Sequence, residues 1–407
     1  MRLFPLLPLI ILLVADAPTS VLSRKEGPGD DELKARAVKL AHEYIIVDTH
    51  VDVPYRLRKK MENISVRTEG GNFDYPRAKE GGLDAPFMSI YVPADYEKKG
   101  TAKALADTLI DMVAAFATDW PDKFAIATSV SDVRAQSKKG LISLPMGMEN
   151  GAPISGDLAN LKYFYDRGIR YITLTHSKDN HICDSSYDTT HTWRGLSPFG
   201  KKVVKEMNRL GIMVDVSHIS DDAFYQVMEL TEAPVIASHS SCRFFTPGWE
   251  RNMSDDMIRL LAKKGGVIQI NFGSSFVNDE YHRASDEVYK ILRAHHIEWD
   301  DPAADEYIKK YQQEHKFDYA DVSEVADNID HVVKLVGVDY VGFGSDFDGL
   351  GDSLPNGLKD VSFYPTLIYE LLKKGYSDGD IRKVCGENLL RVWSEVEQAA
   401  KRMQSMK

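Results

Sequence analysis

Short apolar runs that end in an acid or a histidine recur along this chain. They read IIVDTHVD, LISLPMGMEN, YITLTHS, IMVDVSH, VIASHS and YVGFGSDFDG. Continuous apolar runs of this length are typical of strands that are covered on both faces, as in parallel sheets. The pattern predicts eight strands, at 45–50, 87–92, 141–149, 169–176, 212–218, 234–239, 266–272 and 338–346.

Helical patterns separate most of these strands. Residues 101–120 carry apolar side chains at helical spacing, and the stretch 198–211 ends at Gly211. Ser220 and Ser254 each open a Ser-Asp-Asp sequence, which is a good helix start. Repeated alternation of strand and helix favours an α/β fold, a TIM-like (β/α)8 barrel, over an open doubly wound sheet. The open sheet stays the alternative, although no glycine-rich dinucleotide fingerprint follows any strand.

Two segments depart from this rhythm. Residues 1–23 combine a basic start, an apolar run and small residues, which predicts a signal peptide with an approximate boundary and a protein exported to the periplasm or secreted. An uncleaved membrane anchor is the less favoured alternative. The predicted catalytic domain then spans 24–407. Within it, the charged stretch 276–321 predicts a helical insertion at one rim of the barrel. A lid, an oligomer contact and a solvated excursion are all compatible with its composition.

Composition narrows the classes of function. The 407 residues carry a formal net charge of −11 and no basic block, which argues against nucleic acid as a partner. Three cysteines are too few for a disulfide framework, so we interpret Cys183, Cys242 and Cys385 as structural or incidental. The C-terminus KRMQSMK has no hydrophobic tail, so no lipid anchor is evident there.

The strand ends carry residues that can bind metal ions. His50 and Asp52 lie two positions apart in extended chain, so both can face one ion. Glu149, His218 and His239 end three further apolar runs. A single histidine at a strand end is more often a hydrogen-bonded core residue than a metal ligand. The occurrence of several acids and histidines at strand ends in one chain makes a metal site the better interpretation. Three such ligands suffice for one catalytic zinc, and five with a shared carboxylate suit two metals that hold a hydroxide between them.

Two more strand-end residues suggest catalytic roles. Asp346 in GFGSDFDG is the natural proton shuttle, with an extra ligand or an Asx turn as the alternative and Asp348 as its competitor. His176 can stabilise a developing oxyanion, or else belong to the core. Asn63 and Asn252 stand in Asn-x-Ser sequons, which matter only in a eukaryotic secretory route.

The order of VDTHVDVP, GMENG, RYITLTHS, VDVSH, VIASHSS, ERN and GFGSDFDG resembles the membrane (renal-type) dipeptidases. These are binuclear zinc peptidases on an amidohydrolase-type barrel. The resemblance covers nearly the whole chain after the signal region. The chain departs from the mammalian members in its longer segment at 276–321 and in Phe276, where they carry a tyrosine near the substrate, which puts that polar contact in doubt. The disulfide and lipid-anchor features of the family are not evident either, and the chain resembles a bacterial exported member more closely.

The resemblance also implies roles. His50 and Asp52 would bind one Zn²⁺ and His218 and His239 a second, with Glu149 bridging the two. Asp346 would be the acid/base, His176 would polarise the scissile carbonyl, and Arg251 of ERN would clamp the free carboxylate of a dipeptide, in keeping with arginine chemistry. Asn252 would then be a poor glycan acceptor.

The expected activity is hydrolysis of dipeptides with free termini by a metal-bridging hydroxide. A related amidase acting on N-acyl amino acids or lactams, and a non-catalytic barrel that binds small molecules, are the alternatives. The resemblance also implies a homodimer.

Overall fold

The computed structural model describes residues 29–297, 302–315 and 318–406. The predicted signal peptide, 1–23, therefore lies outside the described residues. The strands are β1 Ile46–Val51, β2 Leu83–Tyr91, β3 Phe124–Ile126, β4 Ile142–Leu144, β5 Met146–Glu149, β6 Ile169–Thr173, β7 Met213–Asp215, β8 Ile236–Ala237, β9 Val267–Ile270 and β10 Val341–Phe343.

Eight of these strands close into one parallel barrel. Its order is β1-β10-β9-β8-β7-β6-β5-β2, and the barrel closes through the β1–β2 pair. Every residue of β1, β5, β6 and β10 is buried, because the barrel interior covers one face and helices cover the other. The predicted TIM-like barrel is confirmed, and the open doubly wound sheet is excluded.

One predicted strand was wrong. Residues 141–149 form two short strands, β4 and β5, because Pro145 stands between them and has no N–H to donate to a ladder. Strand β4 leaves the barrel and pairs with β3, which the apolar pattern did not predict, in a separate two-stranded sheet.

Helices surround the barrel and connect its strands. They are α1 Asp30–Glu43, α2 Val53–Lys59, α3 Tyr75–Gly81, α4 Asp95–Lys98, α5 Ala102–Asp119, α6 Val130–Ser137, α7 Ala159–Asp166, α8 Pro198–Leu210, α9 Asp221–Leu230, α10 Asp255–Lys263, α11 Ser274–Val277, α12 Asp279–Ala294, α13 Pro302–His315, α14 Val322–Val336, α15 Tyr364–Lys373, α16 Asp378–Arg382 and α17 Asn388–Ser405. None of the helices within the described residues is long and apolar enough to cross a membrane.

The two ends of the barrel differ in character. At the amino end of the strands, α17 packs Trp393 against Phe87, with ring centroids 5.3 Å apart, and this apolar cluster fills the interior. The carboxyl end is polar. Because all eight strands are parallel, residues that end them must meet at that mouth, which is where TIM barrels carry their active sites.

The predicted insertion is helical. It comprises α11, α12 and α13, and the last two share a small apolar core of their own around Val288, Leu292 and Ala304. Helix α12 also stacks His282 on Trp249, with ring centroids 4.2 Å apart. The insertion therefore lies against a loop of the barrel mouth, and its role stays a prediction.

Candidate metal centre and active site

Glu149 lies at the middle of the polar mouth, and its two carboxylate oxygens face different groups. Oε2 lies 3.3 Å from Nε2 of His50. Oε1 lies 3.2 Å from Nε2 of His218 and 3.3 Å from Nε2 of His239. Asp52 completes the first side, with Oδ2 3.4 Å from His50 Nε2. The structure thus brings all five predicted ligands together around Glu149, with His50 nearest Oε2 and with His218 and His239 nearest Oε1. The donor atoms of His50, Glu149 and His239 also lie within 4.8 Å of one another.

This donor set fits divalent cations. The Nε2 atoms of His218 and His239 lie 2.8 Å apart, and two ring lone pairs cannot face each other at that distance without a proton or a cation between them. His50 Nε2 and Asp52 Oδ1 are buried without a hydrogen-bond partner. Buried polar atoms are costly unless they are satisfied, and bound cations would satisfy these.

The charges of the site favour the metal-binding forms of Glu149, His218 and His239. Burial opposes ionisation of Glu149, but the neighbouring His50 and His176 outweigh it and hold the pKa of the carboxyl well below its usual value. Burial lowers the pKa of His218 and of His239 well below the usual value, so both rings are neutral near pH 7. Metal ions require this combination, a carboxylate and deprotonated imidazoles. At His50, burial opposes the charged ring, but Tyr171, Glu149 and Asp52 outweigh it and raise the pKa of the imidazole well above its usual value, so a cation bound there would have to displace a proton.

Asp346 is held beside the Asp52 side of the centre. Its backbone adopts a left-handed φ of 64°, which is strained for a residue with a side chain, and its N–H donates to the His50 carbonyl at 3.0 Å. Asn271 donates to Oδ2 at 2.8 Å. Burial, reinforced by the carboxylates of Asp52 and Glu149 against the opposing charge of His50, raises the pKa of Asp346 to about 7.

Asp348, the competing acid, faces away from the centre. Oδ2 pairs with Arg56 Nε at 3.1 Å, and Oδ1 accepts the N–H of Asn72 at 2.5 Å. Because both oxygens are engaged by Arg56 and Asn72, Asp348 is the weaker competitor. Asp346 lies close enough to His50 and Asp52 to share a cation with them, so its role as proton carrier or as an extra ligand stays a prediction.

His176 lies on the open side of the cluster. Its Nε2 is 3.6 Å from Oε1 of Glu149, slightly farther than the other histidines, and its side chain is 20% exposed, whereas His50 is fully buried. The ring packs on Tyr91 and on His218, with centroids 4.8 and 4.3 Å away. His176 is thus near enough to ligate and exposed enough to meet a substrate, and its carbonyl-polarising role stays a prediction.

Arg251 is buried at the edge of the centre, with 2% of its surface exposed. Nη1 donates to Ser240 Oγ at 2.8 Å, and Nη2 donates to the His239 carbonyl at 2.7 Å and lies 3.1 Å from His218 Nε2. The guanidinium carbon lies 5.1 Å from the centre of the Phe276 ring. Arg251 forms no ion pair with a carboxylate of the described residues, so this buried cation lacks an anion.

A profile of the membrane dipeptidase family, peptidase family M19, matches residues 34–407. The chain belongs to this family. The sequence is 32% identical to Dipeptidase 3 of Mus musculus over 378 residues, which cover 91% of this chain and 68% of the mouse protein.

Solved structures agree with the family. The crystal structure of the probable dipeptidase PvdM from Pseudomonas aeruginosa has a TM-score of 0.79 at 28% identity, covering 91% of this chain and 100% of that one. A metallo peptidase from Rhodobacter sphaeroides, liganded with a phosphinate mimic of the dipeptide L-Ala-D-Ala, has a TM-score of 0.71 at 26% identity, covering 87% of this chain and 99% of that one. The predicted family is confirmed, and the protein is a metallo-dipeptidase that carries out metal-dependent dipeptide hydrolysis.

Several residues around the metal centre of this dipeptidase were missed in the sequence. Asn271 follows β9 and binds Asp346, and Ser89 donates to Glu149 Oε2 at 3.3 Å from β2. A strand-end position was the available signal for Asn271. Gly349 gave no chemical signal, yet a Cβ there would lie 2.4 Å from both Asp346 Oδ1 and Asp52 Oδ2.

The remaining sequence interpretations have structural outcomes. Cys183, Cys242 and Cys385 are free and buried. Asn252 is fully buried and bonded to Ser241, Thr246 and Phe276, so its side chain is inaccessible to a glycan, as expected.

Proposed function

We propose that this metallo-dipeptidase uses two zinc ions to hydrolyse dipeptides that have free amino and carboxyl termini. One observation carries the proposal: the two oxygens of Glu149 face separate nitrogen and oxygen donor sets, beside a buried arginine that has no anion. The donor sets around Glu149 suit a pair of cations, and the buried arginine suits a small substrate with a carboxylate.

The ligands divide between two positions. His50 and Asp52 would hold one cation and His218 and His239 the other, while Glu149 would contribute one oxygen to each. Neutral imidazoles and carboxylates are the ligands of catalytic zinc sites. When bound, two such cations supply Lewis-acid activation of water and neutralise charge that develops on the carbonyl oxygen.

Asp346 moves the proton in this proposal. Asn271 holds Oδ2, while Oδ1 lies on the side of Asp52, at the edge of the cluster. The Asp346 carboxylate accepts a proton from the attacking water and donates it to the departing amine. The pKa of about 7 belongs to the cation-free protein; cations beside the carboxylate would lower it and so favour the ionised form that accepts the first proton.

Arg251 and His176 orient the substrate. The guanidinium offers its Nε–H, which has no hydrogen-bond partner in the part of the chain that the structure describes. One N–H of Nη2 stays on the His239 carbonyl, and the other becomes available to the substrate carboxylate if a cation engages His218 Nε2. His176 faces the opening and polarises the scissile carbonyl. A substrate held at both points must be short, which favours dipeptides over longer peptides.

The test is a substrate panel with the purified, zinc-loaded protein. It contains dipeptides that vary both residues and both chiralities, their C-terminal amides, and N-acetyl amino acids. We expect free dipeptides to be turned over fastest, chelation to abolish turnover, and zinc to restore it at two ions per chain. Faster turnover of N-acetyl amino acids than of every dipeptide would replace the proposal with the related amidase. No turnover of any compound, with less than one zinc per chain, would instead favour a binding protein.

Export and assembly belong to the same proposal. An exported enzyme would meet dipeptides outside the cytoplasm, and the predicted signal peptide at 1–23 supports this location. Fractionation of expressing cells tests it, and light scattering of the purified protein tests the homodimer that the resemblance implies.

A further inference from the structure

We propose that two hydroxyl groups, those of Tyr171 and Ser238, act as positioning residues that fix the ring tautomers of His50 and His239. Each hydroxyl accepts the Nδ1–H of one imidazole, so that in the neutral ring Nε2 carries the lone pair that a cation beside Glu149 would use. The inference rests on the proposed ligand roles of His50 and His239. It concerns how the protein prepares the two rings, which neither ligand identity nor spacing decides.

Proton counting establishes the first pair. Tyr171 donates its single hydroxyl proton to the Thr49 carbonyl at 2.9 Å. The same oxygen lies 2.8 Å from Nδ1 of His50. Because a phenol has only one proton, the second contact requires Nδ1–H to donate to the Tyr171 oxygen. In the neutral ring that a metal ion requires, Nε2 of His50 is then the acceptor nitrogen, and it is the atom that lies 3.3 Å from Glu149.

The barrel is built to admit the Tyr171 ring. Tyr171 stands on β6, is fully buried, and reaches across the interior to the end of β1. On β5, next to it, Gly147 lies so close that a Cβ there would be 1.9 Å from the Tyr171 ring carbon that carries the hydroxyl. Phe87 supports the ring, with centroids 5.5 Å apart. The hydroxyl therefore has little freedom to leave His50.

A serine and a carboxylate play the same part for His239. Ser238 Oγ lies 2.6 Å from Asp215 Oδ2 and 2.7 Å from His239 Nδ1. Asp215 receives donors on both oxygens, with the N–H groups of Ser217 and Ser238 on Oδ1 and the Thr173 hydroxyl on Oδ2. As an acceptor on all sides, Asp215 takes the Ser238 proton, so Ser238 Oγ must accept Nδ1–H of His239.

The other two histidines of the cluster are not held in this way. Nδ1 of His176 and Nδ1 of His218 are buried and have no hydrogen-bond partner among the described residues. The hydroxyl partners are therefore selective, one for each side of Glu149. Residues that orient a metal-binding histidine typically change metal affinity roughly 10–100-fold when removed.

Two hydroxyl deletions test the inference. Tyr171→Phe and Ser238→Ala each remove one hydroxyl, and zinc dissociation constants are measured for both sites by competition with chelators of graded affinity. We expect Tyr171→Phe to weaken one site roughly 10–100-fold and leave the other near wild type, and Ser238→Ala to weaken the opposite site. Melting of the cation-free proteins, measured in parallel, shows whether each variant remains folded.

Two matched controls remove hydroxyls that touch no imidazole. Tyr364→Phe deletes another fully buried phenol, whose hydroxyl donates to Asp48. Thr231→Val deletes a buried hydroxyl that donates to the Ala233 carbonyl and lies outside the hydrogen bonds of Asp215 and His239. We expect both to bind zinc within about threefold of wild type, well below the loss expected for an orienting partner.

The outcomes separate this inference from the proposed function. Wild-type protein that binds fewer than two zinc ions contradicts the two-metal proposal, on which the inference depends. Two tight sites in the wild type with unchanged constants in Tyr171→Phe and Ser238→Ala overturn the tautomer inference alone. The tautomer inference is also overturned if the control variants lose as much zinc affinity as Tyr171→Phe and Ser238→Ala do. If Tyr171→Phe does not fold, the comparison of Ser238→Ala with Thr231→Val decides the question for His239 and with it the inference.

Discussion

Replacing Gly349 with alanine tests whether the positions of the Asp346 and Asp52 carboxylates depend on the absence of a side chain at residue 349. An added Cβ would lie 2.4 Å from Asp346 Oδ1 and 2.4 Å from Asp52 Oδ2. Gly349 has no left-handed φ, so alanine adds steric conflict without backbone strain. Restoring ordinary contact requires a shift of about 1 Å, and displacement of a catalytic group by that amount costs roughly 10²-fold in rate. This corresponds to about 2.7 kcal/mol in the activation free energy.

The assay is steady-state hydrolysis of the preferred dipeptide at saturating zinc, with zinc content measured in the same samples. We expect a lower kcat in Gly349→Ala and, because Asp52 is a proposed ligand, weaker retention of zinc on dialysis. Gly379→Ala is the matched control, since its Cβ would approach nothing closer than 3.7 Å, from Ser377 Oγ, without a left-handed φ. A kcat for Gly349→Ala equal to that of the control would refute the reasoning.

Three further predictions concern the proton carrier and the clamp. Asp346→Asn should keep two zinc ions and lower kcat roughly 10²–10⁴-fold, and an unchanged kcat would reject its role as acid/base. Arg251→Ala should reduce kcat/KM for a dipeptide far more than for the matching C-terminal amide, whereas equal losses would reject the clamp. In cation-free protein, the pKa of Asp346 rises from 3.8 in the unfolded chain to about 7, so the native state binds more protons in this window and the contribution of Asp346 to stability falls as pH rises. Asp346→Asn should therefore raise Tm relative to wild type more at pH 8 than at pH 5, and an opposite trend in thermal melts would contradict the burial argument.

The fold could be predicted from the sequence because the local pattern of apolar and polar residues specifies it. Apolar runs separated by amphipathic helices specify buried parallel strands, and parallel strands place their ends at one mouth. His50, Glu149 and His239 could be grouped on that basis before any distance was known. The exact strand limits could not, since β8 has only Ile236–Ala237 where the pattern predicted 234–239, and Pro145 divided what looked like one strand.

The choice between Asp346 and Asp348 could not be made from the local sequence pattern. Both lie in one short loop with left-handed φ values of 64° and 69°. Asp348 is withdrawn from the centre by Arg56, which is distant in sequence, whereas Asp346 is kept beside it by Asn271 on another strand end. Nothing within GFGSDFDG distinguishes the two acids, because the groups that bind them come from elsewhere in the chain.

The sequence by itself determined the barrel and the set of strand-end acids and histidines, because both follow from residue type and spacing along the chain. Only the tertiary structure decided which oxygen of Glu149 faces which histidine, and that Tyr171 meets His50 across the barrel from 121 residues away. Closure of the barrel selects such hydrogen-bond partners, because it places side chains of strands that are far apart in sequence within 3 Å of each other, as for His50 Nδ1 and the Tyr171 hydroxyl. The spacing of residues along the chain does not specify which side chains meet when the barrel closes.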